Sequence, residues 1–228
     1  MAMIAAFATP ALAQSTSTLE TVKERGRLIC GSSQGTPGFG APDDNGYWRG
    51  LDVETCRAVA VAVLDDKDAV DFVPLSGQQR IPALQTGEID MLPRTLTWTL
   101  QRDANGINFT TPNYYEFTGF MMPKSLGITS VEDMAGPSVC VQTGTTTELN
   151  LTDYFKANGM EYQPVVFEKL EEVNAAYDAN RCDVYTTDAS GLAATRASFE
   201  SPSDHVILPE IISKEPLGPL VRHGDNEW

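Results

Sequence analysis

The chain has 228 residues, of which 42% are hydrophobic, so it is long enough for one large or two small α/β domains with a sizeable core. Its formal net charge of −15 at pH 7 argues against nucleic acids and anionic membrane surfaces as partners, because phosphate recognition normally needs a basic face. We therefore expect no nucleic acid partner, and the acidity says little about a small ligand.

The first thirteen residues are apolar and uncharged, and they end in Ala11-Leu12-Ala13, the pattern of a signal-peptidase site. A basic stretch expected at the start of a complete signal is absent. We interpret residues 1–13 as a partial signal peptide and expect export to the periplasm, with a disordered tail as the alternative. No later segment reaches roughly 18 consecutive apolar residues, so no membrane-spanning helix is predicted.

Strands and helices alternate in the first half of the chain, which predicts a largely parallel sheet. The first predicted strand is placed at residues 23–31, and its buried part at residues 27–31 follows a helical or irregular turn. The other predicted strands are residues 69–74 and 89–93, and the predicted helices are residues 52–64 and 79–85. The loop at residues 32–42 is rich in Gly and Pro, but its glycine spacing does not fit a phosphate-binding fingerprint. No nucleotide or other cofactor is therefore expected.

The alternation restarts after an aromatic-rich extended segment, residues 114–122, which we interpret as a connector between two halves, with one more buried strand as the alternative. The predicted strands that follow are residues 138–142, 162–167 and 182–187, and the predicted helices are residues 129–134, 170–178 and one starting after Thr145. Residues 206–222 are predicted to be extended, because three prolines within them rule out a helix.

One αβ unit occurs twice, at residues 83–91 and 176–184. Gly87 and Asn180 hold the same place in the two copies, and both residue types readily take the left-handed conformation that ends a helix. Asp90 and Asp183 also recur, and because apolar strand residues follow them we interpret both as structural turn partners rather than ligands.

A polar tip follows each copy, residues 94–102 in the first and residues 186–188 in the second. Ligands of open α/β sheets bind at the carboxyl ends of strands. If the two tips face each other, one offers a guanidinium and the other a carboxylate. Together these groups complement a zwitterion.

The four cysteines of an exported chain suggest two disulfides, for which three connectivities exist. Their positions favour Cys30 with Cys56 and Cys140 with Cys182, each pair within its own half. A zinc site is the weaker alternative, because no Cys-x-x-Cys occurs and both histidines are distant in sequence.

Four segments carry a resemblance to a known family: residues 97–102, 141–150, 181–188 and 208–219. Through them the chain resembles the polar amino acid-binding proteins of bacterial ABC transporters, in particular the exported general L-amino acid-binding proteins. The resemblance extends from Thr18 to Trp228.

The resemblance implies a type II periplasmic binding protein fold, an α/β architecture of two lobes joined by two extended crossings. Lobe 1 is expected at residues 14–115, lobe 2 at residues 116–215, and a return crossing into lobe 1 at residues 216–228. Members of the family continue with further helices, so we expect the C-terminal part of lobe 1 to be missing.

The resemblance also implies the ligand contacts. Arg102 is expected to clamp the α-carboxylate of an amino acid, and Asp188 to accept its α-ammonium. The other expected ligand-binding residues are Thr95, Thr97, Thr145, Thr146, Phe39 and Gly77, with Arg80 and Arg94 as further positive contacts or partners of local acids.

Structural roles are the alternatives for several of these residues. Arg102 is a surface arginine if it pairs with Asp103, and Asp188 is only a helix N-cap if its carboxylate binds the backbone after it. Thr145 and Glu148 have the spacing of a capping box, which accounts for Thr145 without a ligand. Phe39 and Trp98 are alternatively core residues.

The function implied is that of a periplasmic solute-binding protein that binds a free L-amino acid by hinge closure and delivers it to ABC transporter permease subunits. We expect a monomer without a metal. The alternatives are the sensing domain of a receptor and a periplasmic dehydratase or lyase. An enzyme is disfavoured because the tips hold neither a histidine nor a nucleophile elbow.

Overall fold

A computed structural model describes residues 17–228, so the predicted signal peptide at residues 1–13 lies outside the described residues. The helices are α1 (Thr18–Arg25), α2 (Leu51–Leu64), α3 (Arg80–Thr86), α4 (Leu100–Asp103), α5 (Thr146–Ala157), α6 (Leu170–Asp178) and α7 (Ala189–Ala197). The strands are β1 (Leu28–Ser32), β2 (Ala41–Pro42), β3 (Trp48–Arg49), β4 (Val70–Pro74), β5 (Ile107–Phe109), β6 (Tyr114–Glu116), β7 (Thr118–Pro123), β8 (Ser138–Gln142), β9 (Gln163–Phe167), β10 (Val184–Asp188), β11 (His205–Ile207), β12 (Glu215–Leu217) and β13 (Leu220–Arg222). None of the helices within residues 17–228 is long and apolar enough to cross a membrane.

The first strand is shorter than the sequence predicted. Residues 18–25 form helix α1, which begins where the Ser17 hydroxyl accepts a hydrogen bond from the Glu20 amide and ends at Gly26, whose φ is 70°. The prediction of a strand from residue 23 was therefore wrong. The N-cap serine and the left-handed glycine place a helix there, and β1 starts only at Leu28.

Strand β1 is the centre of the first lobe, which we define as residues 18–109 together with β13. It pairs with β4 in parallel, as the alternation predicted. The predicted strand at residues 89–93 is reduced to single bridges, from Met91 to Cys30 and from Leu92 to Leu220. This segment is held by β1 on one side and by β13 on the other.

The second lobe, residues 118–207, contains a five-stranded sheet in the order β11-β7-β10-β8-β9. Strands β10, β8 and β9 are parallel, while β7 runs antiparallel to both of its neighbours, β10 and β11, so the sheet is mixed rather than uniformly parallel. On β7, Phe120 packs on one face of the sheet and Met121 on the other. Both faces are thus covered, which explains the continuous apolar run of this strand.

Two extended segments connect the lobes. Strand β6 pairs antiparallel with β12, and Glu116 lies opposite Glu215. The predicted connector at residues 114–122 is therefore divided: β6 is a crossing, and β7 is an interior strand of the second lobe. Its buried apolar side chains account for the difference, because a solvent-exposed connector would not hold them.

The duplicated αβ unit has the same construction in both copies. Gly87 and Asn180 have φ values of 80° and 53°, the left-handed conformation predicted for them. Asp90 accepts a hydrogen bond from the Ile29 amide at 2.7 Å, and Asp183 accepts one from the Ser138 amide at 2.8 Å. Each aspartate ties its turn to the neighbouring strand, which confirms the structural role inferred for the pair.

Both predicted disulfides are present. Cys30 on β1 bonds Cys56 on α2, and Cys140 on β8 bonds Cys182 just before β10. Each disulfide therefore fastens elements within one lobe.

Candidate functional site

A cleft between the two lobes brings the two tips together. The first lobe contributes Phe39, Arg80, Arg94 and Thr95 to its lining, and the second contributes Gln142, Thr145, Thr146, Thr147, Asn174, Tyr185, Thr187 and Asp188. Because most of the second set lies at or just after the ends of β8 and β10, the cleft lies where open α/β sheets bind ligands.

Asp188 is the carboxylate of this cleft. It ends β10 and occupies the N-cap position of α7, yet within the described residues its side chain makes no capping hydrogen bond. Burial raises the pKa of Asp188 to about 7, and the nearby Glu116 and Glu215 carboxylates act in the same direction, while Arg80 and Arg102 oppose them. Its side chain is therefore free for another partner, and capping is not its role in this structure.

Two guanidinium groups face this carboxylate from the first lobe. Arg80, at the start of α3, is only 3% exposed, and its Nη2 donates to the Gly144 carbonyl at 3.4 Å. Arg94 is 4% exposed, and its Nε donates to the Leu75 carbonyl at 2.9 Å. Burial lowers the pKa of both groups, that of Arg94 to about 10. Both arginines therefore lie in the cleft as desolvated cations.

Arg102 lies beside the cleft and is not among the residues that line it. Its Nη1 donates to the carbonyl of Thr97 at 2.9 Å, and burial lowers its pKa, against the opposing influence of Glu215 and Asp188. Among residues 17–228 it forms no ion pair with Asp103. The alternative that Arg102 is a surface arginine paired with Asp103 is therefore not supported. The structure thus places Arg102 near Asp188 without placing it on the cleft wall.

The threonines of the first tip are held in specific conformations. Thr95 has a φ of 37°, a strained value for a β-branched residue, and its amide donates to Asp52 at 2.9 Å. Burial raises the pKa of Asp52 to about 7. Thr97 is buried, and its hydroxyl lies 3.3 Å from that of Thr146 across the cleft. The first tip therefore contacts the start of α5 in the second lobe directly.

The Thr145 hydroxyl, at the N-terminus of α5, already has hydrogen-bond partners within the second lobe. Thr145 caps α5 by accepting from the Glu148 amide at 3.2 Å, and its hydroxyl donates to the Gln142 carbonyl at 2.7 Å. The capping alternative therefore describes the Thr145 hydroxyl, although this residue also lines the cleft.

The two residues expected to form the side-chain pocket differ in their placement. Phe39 lines the cleft, and its ring packs edge-on against Tyr114 with centroids 5.1 Å apart. Gly77 is outside the lining and contacts the second lobe instead. Trp98 stacks on Phe109 with ring centroids 5.5 Å apart and is not among the lining residues.

Polar contacts bridge the lobes around the cleft. The Ser76 hydroxyl donates to Glu168 at 3.3 Å, and the Leu170 amide donates to the Gln34 side chain at 3.3 Å. With the Thr97–Thr146 contact, they show that the described conformation is a closed one.

Several cleft residues were not singled out from the sequence, among them Gln142, Asn174 and Tyr185. Gln142 ends β8, a position that could have been identified because it lies at the carboxyl end of a parallel strand. Asn174 and Tyr185 lie within a helix and a strand whose patterns indicate only packing. The described residues contain no group of three or more His, Cys, Asp or Glu side chains able to hold a metal ion.

Residues 28–228 match the family of bacterial extracellular solute-binding proteins, family 3. The chain is 55% identical over 225 residues to the general L-amino acid-binding periplasmic protein AapJ of Rhizobium johnstonii, an alignment that covers 98% of this chain and 66% of the relative. It is also 55% identical over 226 residues to the glutamate/glutamine/aspartate/asparagine-binding protein BztA of Rhodobacter capsulatus, covering 99% and 67%. Both relatives are named as binding proteins and not as enzymes.

Solved structures of binding proteins share this fold. A periplasmic binding protein from Brucella ovis, solved with glutathione bound, superimposes with a TM-score of 0.90 at 54% identity, covering 94% of this chain and 68% of the other. A cysteine-binding protein from Campylobacter jejuni superimposes with a TM-score of 0.82 at 26% identity, covering 93% and 83%. The chain spans about two thirds of the length of the curated relatives it matches. It belongs to the family 3 bacterial extracellular solute-binding proteins, and its fold is the periplasmic binding protein fold expected from the sequence.

Proposed function

We propose that this protein is the periplasmic binding component of an amino acid ABC transporter, and that it holds a free L-amino acid in the cleft between its lobes. The observation that carries the proposal is the meeting of opposite charges there: Asp188 comes from the second lobe, and buried guanidiniums come from the first. Free amino acids carry the complementary pair of charges. The names of the two curated relatives support the same ligand class.

Each charge of the ligand has a partner in the proposed complex. Asp188 accepts hydrogen bonds from the α-ammonium, and Arg102 binds the α-carboxylate through the planar fork of its guanidinium. Thr97 and the backbone at Thr95 add polar groups from the first tip, and Thr146 adds a hydroxyl from the start of α5. The charges of Arg102 and Asp188 act on each other, which supports a shared role at the cleft.

Closure of the two lobes makes binding depend on both charges of the ligand. The two lobes that close are the first lobe, residues 18–109 with β13, and the second lobe, residues 118–207. A ligand that meets both Arg102 and Asp188 stabilises the closed state, because it contacts both lobes only when they have closed. A ligand that lacks one charge leaves a buried partner unpaired, which is costly.

The closed complex is the form that a transporter recognises. We propose export to the periplasm through the signal at residues 1–13, followed by delivery of the amino acid to the permease subunits by a monomeric binding protein. The Brucella ovis neighbour holds glutathione. Glutathione has a free α-amino acid end, so the proposed charge pair suits that molecule as well.

A ligand screen tests the proposal. The full-length protein, stripped of bound ligand by unfolding and refolding, is heated with each common L-amino acid and with the D-enantiomers as matched controls. A true ligand at a hundredfold over its dissociation constant stabilises the protein by about 2.7 kcal/mol, and the D-enantiomer does so less. Lack of a shift with every L-amino acid would overturn the proposal.

A further inference from the structure

Asp188 has the position and the backbone conformation of an N-cap residue, but its carboxylate does not cap α7. Its φ of −56° and ψ of 139° are extended values of the kind that N-cap residues adopt. An aspartate at this position ordinarily accepts a hydrogen bond from the second or third amide of its helix. Within the described residues, the Asp188 side chain makes no such bond and lines the cleft instead. Another group must therefore satisfy the amides at the start of α7.

The crossing strand β6 and the residue after it satisfy these amides. The Ala189 amide donates to the Phe117 carbonyl at 3.0 Å, and the Ser190 amide donates to Oε2 of Glu116 at 3.2 Å. Ser190 is the second residue of α7, so Glu116 accepts a hydrogen bond that an N-cap aspartate commonly takes. The negative charge of Glu116 also suits the positive end of the helix dipole.

The Glu116 side chain is fixed in this position. It is 6% exposed, and its Oε1 accepts a hydrogen bond from the Phe117 amide at 3.0 Å. Two residues further along the chain, Thr118 pairs with Asp188 across β7 and β10. Glu116 and Asp188 therefore meet at the start of α7, where one carboxylate binds the helix and the other faces the cleft.

Glu215 shows that burial and charge alone do not produce this contact. It lies opposite Glu116 on the crossing strand β12 and is 3% exposed. Its Oε1 accepts a hydrogen bond from Nδ2 of Asn150 at 2.6 Å, and its buried Oε2 has no partner within residues 17–228. Of these two opposed glutamates, Glu116 is the one that bonds to α7.

We propose that Glu116 is a positioning residue for ligand binding: it caps α7 in place of Asp188 and so leaves the Asp188 carboxylate free to accept the α-ammonium of the ligand. This inference rests on the proposed function, because it assumes that Asp188 binds that ammonium group. Without Glu116, Asp188 can satisfy the Ser190 amide itself. Its carboxylate is then held by the helix, and the ligand must displace that bond.

Glu116 also acts on Asp188 through its charge. Burial raises the pKa of Asp188 to about 7, and Glu116 acts in the same direction. The other charged or titratable groups that face Asp188 are Glu215 of β12, Arg80 of α3, Arg102 of α4, Tyr185 of β10, and Arg94 between α3 and α4. A test of the hydrogen bond must therefore compare variants that have the same charge at position 116.

Two substitutions of equal charge isolate the hydrogen bond. Glu116→Gln keeps an acceptor oxygen for the Ser190 amide, whereas Glu116→Ala removes it. In calorimetry on the ligand-free, full-length protein at pH 8, Glu116→Ala is expected to bind L-glutamate at least about fivefold more weakly than Glu116→Gln, the usual strength of an N-cap bond. Equal affinities overturn this inference alone. If the wild-type protein binds neither L-glutamate, L-glutamine nor L-alanine, the proposed function fails, and this inference fails with it.

The pH dependence of binding separates a positioning role from a general loss of structure. In Glu116→Ala the amides of α7 stabilise the ionised Asp188 and lower its pKa below that in Glu116→Gln. The pH at which the affinity for L-glutamate declines should therefore be lower in Glu116→Ala by about 0.7 pH unit, which corresponds to a fivefold effect. Titration of the ligand itself is common to both variants and cancels. The same midpoint in both variants overturns the inference.

The same pair of substitutions at Glu215 is the matched control. Glu215 is also buried and also acts on Asp188, but it bonds Asn150 rather than α7. Glu215→Ala and Glu215→Gln should therefore differ little in affinity for L-glutamate, and a difference as large as that at Glu116 overturns the role of the cap.

Glu116→Asp replaces Glu116→Ala if the alanine variant does not fold. This substitution keeps the charge and draws the carboxylate back from the Ser190 amide by one methylene group. Its affinity for L-glutamate at pH 8 is expected to be about threefold or more below that of the wild-type protein, because the cap is weakened. Wild-type affinity in Glu116→Asp overturns the inference.

Discussion

Gly77 of the first lobe and Thr143 of the second meet so closely that a β-carbon built on Gly77 would lie 2.6 Å from the Thr143 carbonyl oxygen. Real β-carbon contacts are essentially never shorter than 3.0 Å, and the obstructing atom belongs to the backbone. The closed arrangement therefore depends on the missing side chain of Gly77. This residue acts at the contact between the lobes rather than on the cleft wall.

Gly77→Ala is accordingly expected to oppose closure. The clash exists only when the lobes meet, so ligand affinity should fall by about tenfold or more while the stability of the open, unliganded protein stays nearly unchanged. Calorimetry measures the first quantity and thermal unfolding the second. Gly119→Ala is the control, because its added β-carbon would meet the Leu192 side chain at an ordinary 3.4 Å. Wild-type affinity in Gly77→Ala would refute the role of this contact.

Asp188→Asn should separate binding from stability. The substitution removes the acceptor of the α-ammonium, so the affinity for amino acids is expected to fall by about 3–5 kcal/mol, the cost of an unpaired buried charge. The ligand-free protein should gain stability, because a desolvated carboxylate disappears. Asp178→Asn, on the exposed end of α6, serves as the control. A loss of stability in Asp188→Asn without a loss of affinity would assign Asp188 a structural role.

Stability of the ligand-free protein should fall as the pH rises. Burial raises the pKa of Asp188 and of Asp52 from 3.8 to about 7, so between these values the folded state binds more protons than the unfolded state. The free energy of unfolding therefore decreases from about pH 4 to about pH 7 on account of these two groups. Unfolding in urea across this range measures the slope, which should be smaller in Asp188→Asn. An unchanged slope in the variant would contradict the assignment.

Ligand affinity should show the opposite trend. The α-ammonium is bound by the ionised form of Asp188, whose charge is disfavoured by burial and by Glu116 and Glu215 and favoured by Arg80 and Arg102. Below about pH 7 binding must first release a proton, so affinity weakens by up to about tenfold per pH unit. Calorimetry in two buffers of different ionisation enthalpy detects the released proton. Proton release that persists in Asp188→Asn would point to another group.

The disulfides should contribute strongly to stability. Cys30–Cys56 and Cys140–Cys182 close loops of 26 and 42 residues, for which the loss of chain entropy in the unfolded state gives about 3–4 kcal/mol each. Replacing Cys140 and Cys182 by Ala should therefore lower the free energy of unfolding of the second lobe by that amount. Ligand contacts should survive at low temperature, since neither residue lines the cleft. Denaturant unfolding with and without dithiothreitol provides the measurement, and equal stability would contradict it.

Local chemistry made much of the fold predictable. Gly87 and Asn180 marked the ends of two equivalent helices, and Asp90 and Asp183 marked the turns that follow. These features depend on a few consecutive residues and their conformational preferences. The error at residues 23–25 was also local, because the Ser17 cap and Gly26 mark the two ends of a helix that the predicted strand overlapped.

The site was less predictable because its geometry is set by contacts between distant segments. The sequence placed a guanidinium and a carboxylate on facing tips, and Asp188 lines the cleft. Nothing in the pattern of residues 79–85 or 94–102 reveals that Arg80 and Arg94, rather than Arg102, form the wall of the closed cleft. That distinction depends on burial and on the carbonyls of Leu75 and Gly144, which belong to other loops.

The most direct test of the account is one calorimetric comparison of three ligands on the full-length, ligand-free protein: L-glutamate, glutarate, which lacks the ammonium group, and 4-aminobutyrate, which lacks the α-carboxylate. If the cleft binds an amino acid through both charges, glutarate and 4-aminobutyrate should each bind at least about a hundredfold more weakly than glutamate, because each leaves a buried charge unpaired. Binding of either analogue as tightly as glutamate would contradict the paired roles of Arg102 and Asp188.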